Sequence, residues 1–165
     1  MPLPWPTLLV QHIQAGARID YAAAFGNPPH IRIVEAEDKM LLEAGVMYVA
    51  APGYHTLIEE DGTVGLSVDA PVNFSRPSID VLFESAAEAY GAELIALLLT
   101  GANHDGSAGM EAVYQRGGLT LVQDPGSAEV PTMPAAALVR TPVHHILKLD
   151  EIGPFLNQLA RVQVP

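Results

Sequence analysis

The sequence predicts an α/β fold, a mostly parallel sheet with helices on both faces and a β-hairpin insertion. Three observations predict it. From residue 78 onward, strand-like and helix-like stretches alternate strictly. The strand-like stretches lack clean polar/apolar alternation, the mark of strands covered on both faces. One earlier pair of strands is joined through Asp61-Gly62, a hairpin signal.

Each element follows from local pattern. "TLLVQ" (7–11) is a short apolar run bounded by Pro6 and reads as a buried strand. "HIRIVEAE" (30–37) alternates, and "GVMYVAAPG" (45–53) is apolar until Pro52-Gly53 stops it. "TLIEEDGTVGLSVD" (56–69) supplies the hairpin. Ser78 is a good N-cap for a helix whose apolar face is Ile79, Leu82, Phe83, Ala86, Ala87 and Tyr90, with Gly91 as its stop. There follow a strand at 93–99, a helix at 106–116, a strand at 119–123 and a short helix around 134–139. A strand at 144–148 and a helix begun by Asp150, with Ile152, Phe155, Leu156 and Leu159 on one face, close the chain.

Composition narrows the function. The 165 residues fit one domain, 1–165, with 49% hydrophobic and 16% charged residues, a globular balance. Nineteen acids against eight bases, net −11, argue against a nucleic-acid partner. The absence of cysteine excludes disulfides, thiolate catalysis and zinc-thiolate sites. No apolar run is long enough for a membrane span and the N-terminus is a poor signal peptide, so the expected setting is soluble and cytoplasmic.

The chemistry concentrates in "LIALLLTGANHDGSAGMEAV" (94–113), where an apolar strand runs through a Gly-rich turn into a helix. Gly101 to Ser107 has the outline of the P-loop G-x-x-x-x-G-K-S/T but no lysine, and the glycine spacing does not fit a dinucleotide fingerprint. Asp105 at the mouth of the turn would repel a phosphate. Its plainest role is the N-cap of the helix that follows. A second role arises because the turn lies at the carboxyl end of a strand, where open α/β sheets place their sites. His12 follows directly on the first strand and is expected at the same rim. A carboxylate on one imidazole nitrogen fixes the tautomer and frees the other as general base. His55 lies at a strand end and can reach that rim, and His104 can line it. His30 and the adjacent pair His144-His145 have no metal-ligand spacing.

In this order, "LLVQHI", "YVAAPGYH", "FSRPSIDVLFESAA", "LLLTGANHDGSAGM" and "GGLTLVQDPGSAEVPTMPAAAL" resemble the CheB-type protein-glutamate methylesterase domain, from about residue 7 to the final helix. The flavour of "TGANHDG" and "VQDP" is similar to members that stand alone without a receiver domain. The resemblance implies a doubly wound α/β sheet that hydrolyses glutamate γ-methyl esters on chemoreceptors, and deamidates their glutamines, by a Ser-His-Asp mechanism. It places the catalytic histidine at His12 and the catalytic aspartate at Asp105. It implies no cofactor or metal, and the cytoplasmic domains of methylated chemoreceptors as partners. The family's nucleophilic serine lies in a Gly-Ala-Ser-x-Gly-Gly turn after an earlier strand, and no such turn occurs here. The expectation is therefore a domain without its first strand and serine turn, a fragment of the complete enzyme. Ser75 and Ser78 read as turn and cap residues. Ser107 lacks the leading glycine of a nucleophile elbow. The expected oxyanion donors that remain are backbone N–H groups of the 101–103 loop. Two other readings are a catalytically silent receptor-binding module of the same fold, and an anion or nucleotide binder using the 101–109 turn.

Overall fold

The computed structural model describes residues 4–14 and 16–162. Its hydrogen-bonded strands form two three-stranded parallel groups and one antiparallel hairpin. In the first group β3 (Val46–Val49) is central, flanked by β1 (Thr7–Leu9) and β2 (Arg32–Glu35). Leu9 lies opposite Val49 on one side of β3 and Glu35 opposite Val49 on the other, so the three strands end at one rim. The second group is β6 (Ile95–Leu98), β7 (Leu119–Gln123) and β8 (His145–Leu147), also in parallel register. Leu121 and Val122, which point to opposite faces of β7, are both fully buried, so each face of the strand is covered, as the lack of polar/apolar alternation leads one to expect.

The hairpin joins β4 (His55–Ile58) to β5 (Val64–Ser67), closed at Asp61, whose carboxylate accepts from the Thr63 N–H and hydroxyl. α2 (Ile79–Tyr90) starts at the Ser78 cap and stops at Gly91, as read from the sequence. Its Ile79 and Ala87 pack with Ala96 and Leu98 of β6, Met110 and Val113 of α3 (Ser107–Gln115), and Met133 and Ala137 of α4 (Thr132–Arg140). Its Leu82 and Ala86 face Ile58 of the hairpin, together with Leu8, Val10 and Leu94. α2 thus ties all three strand groups together. Val10, just after β1, and Leu94, just before β6, pack against both of these clusters. The chain ends in α5 (Leu149–Val162), with Ile152 and Ala160 buried.

One element has no counterpart in the sequence reading. α1 (Tyr21–Ala24) is a single turn held by the Asp20 carboxylate, which accepts from the Ala23 N–H at 2.9 Å. Four residues are too few to show a helical period.

Candidate active site

His12 leaves the carboxyl end of β1, and Asp105 sits in the turn between β6 and α3. Their side chains meet: His12 Nε2 lies 2.6 Å from Asp105 Oδ2. The His12 side chain is 26% exposed while that of Asp105 is fully buried. A carboxylate can only accept here, so Nε2 donates, and in the neutral form of the ring the lone pair lies on Nδ1. Among the described residues no hydrogen bond reaches Nδ1.

Asp105 is held by more than the histidine. Its Oδ2 also accepts from the Ile79 N–H at 2.6 Å. Its Oδ1 accepts from the Ser78 hydroxyl at 2.7 Å, the Asp80 N–H at 3.1 Å and the Asn73 side-chain amide at 3.1 Å. Two of these donors are the first free N–H groups of α2, so the carboxylate rests on the positive end of that helix. Burial alone would push its pKa up. The bonds from His12, Ile79, Ser78 and Asp80 outweigh that and hold it down at about 2. At neutral pH it is a fixed anion beside the imidazole.

Here one expectation is corrected. Asp105 does not cap its own helix: α3 begins on Gly106, in the left-handed region at φ 95°, with no side-chain cap. It caps α2 instead, while Asp80 of α2 returns the favour by accepting from the Gly109 N–H of α3 at 2.7 Å. Burial pushes the Asp80 pKa up against that bond, and the nearby charge of Asp105 adds to the rise. The Asn73 amide separates the two carboxylates by donating to both, at 2.7 Å to Asp80 and 3.1 Å to Asp105.

The exchange of caps explains the glycines. A Cβ on Gly109 would stand 2.5 Å from the Phe83 Cβ and 3.1 Å from the Asp80 Cα, so only glycine lets α3 approach α2 closely enough for the bond. Gly106 needs its positive φ and also has no room, since a Cβ there would meet Leu98 at 2.6 Å. The anion-binding reading of the 101–109 turn loses one donor by the same geometry, because the Gly109 N–H at the start of α3 already serves Asp80. The oxyanion expectation narrows too. Gly101 donates its N–H to the Val130 carbonyl at 3.0 Å, which leaves Ala102 and Asn103.

The other sequence candidates divide cleanly. His55 does reach the rim, but as a brace: its Nε2 donates to the Ala70 carbonyl at 3.0 Å and its Nδ1 accepts from the Ser78 N–H at 3.2 Å. It holds the residue that holds Asp105. His104 is exposed and lines an open trough of about 550 Å³ bordered by Ser107, Thr132, Ala136 and Val139. His144 binds the Thr120 N–H, and His145 lies against Phe155. His30 is exposed. Ser107 is buried in α3. No group of three metal-ligating side chains occurs among the described residues. Sequence reasoning missed Asn73 and Asp80. Asp80 had a signal, since an acid in the first turn of a helix is a capping residue looking for a partner.

The arrangement is a general base oriented by a buried anion. A sequence profile of the family described as CheB methylesterase matches residues 1–156. A Leptospira interrogans protein named "Putative protein-glutamate methylesterase/protein-glutamine glutaminase" is 45% identical over 154 residues, covering 93% of this chain and 80% of that protein. The protein-glutamate methylesterase FrzG of Myxococcus xanthus is 36% identical over 155 residues, covering 94% of this chain and 46% of that one. The crystal structure of the Thermotoga maritima CheB methylesterase catalytic domain superposes with a TM-score of 0.89 at 27% identity, over 96% of this chain and 85% of the other.

Proposed function

The chain belongs to the CheB methylesterase family, and from that membership and the His12–Asp105 pair we propose a protein-glutamate methylesterase and glutamine deamidase acting on chemoreceptors. A serine hydroxyl attacks the γ-carbonyl carbon, and His12 Nδ1 takes its proton. Asp105 stabilises the imidazolium as the tetrahedral oxyanion forms, next to the Ala102 and Asn103 amides. Collapse breaks the C–O bond, and Nδ1 returns the proton to the departing methoxide, which leaves as methanol. With a glutamine substrate, ammonia leaves instead. Water, deprotonated by Nδ1, then clears the acyl-enzyme.

The carrying observation is the 2.6 Å bond between the rim histidine and a buried carboxylate held ionised by five donors. None of the six serines in the sequence is bonded to His12 in the described residues. The attacking hydroxyl is, as the family resemblance implies, that of a Gly-Ala-Ser-x-Gly-Gly turn, a motif that does not occur in these 165 residues.

The test is methanol release from a methylated receptor cytoplasmic fragment, using this chain joined to an upstream Gly-Ala-Ser-x-Gly-Gly segment. His12→Ala should lower the rate by about a thousandfold. A His12→Ala protein that keeps its rate removes the proposed base. Absence of release from the extended parent, with receptor binding retained, favours the silent binding module.

A further inference from the structure

Phe74 stands at the tip of a two-residue turn in which Val72 and Ser75 exchange backbone bonds, Val72 N to Ser75 O at 3.1 Å and Ser75 N to Val72 O at 2.9 Å. Both central residues have positive φ, Asn73 at 50° and Phe74 at 63°, the geometry of a type I′ turn. Asparagine accepts that conformation readily. For phenylalanine it is strained, and neither central position is a glycine. The strain brings no packing in return, because Phe74 is 104% exposed, the most exposed of the large apolar residues described.

The turn is nevertheless fixed in place. Asn73 bonds both Asp80 and Asp105, and Ser75 Oγ accepts from the Asn103 amide at 3.4 Å. Phe74 is thus one residue from a direct donor to the carboxylate that orients His12. An aromatic ring with two rotatable bonds, carried on a turn whose neighbouring residues are tied to the site, is a low-entropy contact for an apolar partner surface. Near the turn, the Arg76 guanidinium is spent on the Val68 and Asp69 carbonyls, at 2.9 and 3.1 Å. The chain carries net −11, and Arg32, Lys39, Arg116 and Arg140 are already paired with glutamates.

We propose that Phe74 is a substrate-docking residue, which packs on an apolar side chain of the receptor segment adjoining the esterified glutamate. The proposal rests on the methylesterase reading and deepens it. Strain retained on an exposed aromatic beside the dyad is how a site holds a contact residue that stability alone would discard.

The test compares the parent with Phe74→Ala and Phe74→Tyr, each joined to the upstream serine segment, on a methylated receptor fragment and on free glutamate γ-methyl ester. Phe74→Ala should raise KM for the receptor fragment about tenfold with kcat unchanged, as truncating an interfacial aromatic does. Phe74→Tyr should restore the parental KM, and neither should alter turnover of the small ester. An unchanged receptor KM overturns the proposal. So does an equal loss on both substrates, which would mean the turn acts only by holding Asp105. If the parent hydrolyses neither substrate, the methylesterase reading fails instead. Direct binding of the receptor fragment to this chain then decides, with a tenfold weakening in Phe74→Ala expected and equal affinity overturning it.

Discussion

Replacing Asp105 with asparagine tests the carboxylate's structural load. Five donors converge on its two oxygens, and an asparagine presents one acceptor oxygen and no charge. If the amide oxygen faces His12 and Ile79, the NH₂ meets the Asp80 N–H. If it is turned round, the NH₂ meets Ile79 instead. Asparagine therefore resembles the protonated acid, and the pKa measures the difference. A fall from 3.8 to about 2, at about 1.4 kcal/mol per pH unit, makes the ionised form worth about 2.5 kcal/mol to folding. Asp105→Asn should lose about that much at pH 7, a large part of a domain's usual margin. Because the folded pKa is the depressed one, the stabilisation is fully present above the unfolded value of 3.8. It is lost as pH falls through about 2. The gap between parent and variant should therefore be flat from pH 7 to 5 and close by about 1 kcal/mol at pH 3. Urea unfolding followed by circular dichroism at each pH reads it. Equal stability at pH 7, or a gap that widens on acidification, refutes the reasoning. His12→Ala removes only one of those five donors and leaves the other four on the carboxylate, so it disturbs the fold less and is the cleaner probe of catalysis.

Gly109→Ala should cost about 1–3 kcal/mol in urea unfolding, because the added methyl meets the Phe83 Cβ at 2.5 Å and pushes α3 off the Asp80 carboxylate. Unchanged stability would mean the two helices are not in that contact. Phe74→Gly should raise stability by roughly 0.5–1 kcal/mol, the relief of a left-handed phenylalanine less the entropy glycine adds to the unfolded chain. A loss instead would show that the ring is packed rather than exposed.

The regular elements were legible because their signals are local. Ser78, the Ile79–Tyr90 face and Gly91 mark both ends and the buried side of α2 within fourteen residues of text. The apolar run at 95–98 and the absence of polar/apolar alternation at 119–123 pointed to a doubly covered parallel sheet. His12 and Asp105 could be brought to one rim because both follow parallel strands, and the rim is where such strands end. The pattern did not tell which helix Asp105 caps. A cap is judged from sequence against its own helix, whereas here two helices swap acids, Asp105 to α2 and Asp80 to α3. Asn73 was invisible for a similar reason. Its role depends on lying between two carboxylates separated from it by seven and thirty-two positions, which no window of sequence contains.

The most direct measurement is the protonation of the His12 ring, by nitrogen-15 NMR of histidine-labelled protein at pH 7. The geometry predicts a proton on Nε2, shifted far downfield by its 2.6 Å bond to the carboxylate and absent in Asp105→Asn. A ring protonated on Nδ1 alone, or a His12 signal indifferent to the loss of the Asp105 charge, would contradict it.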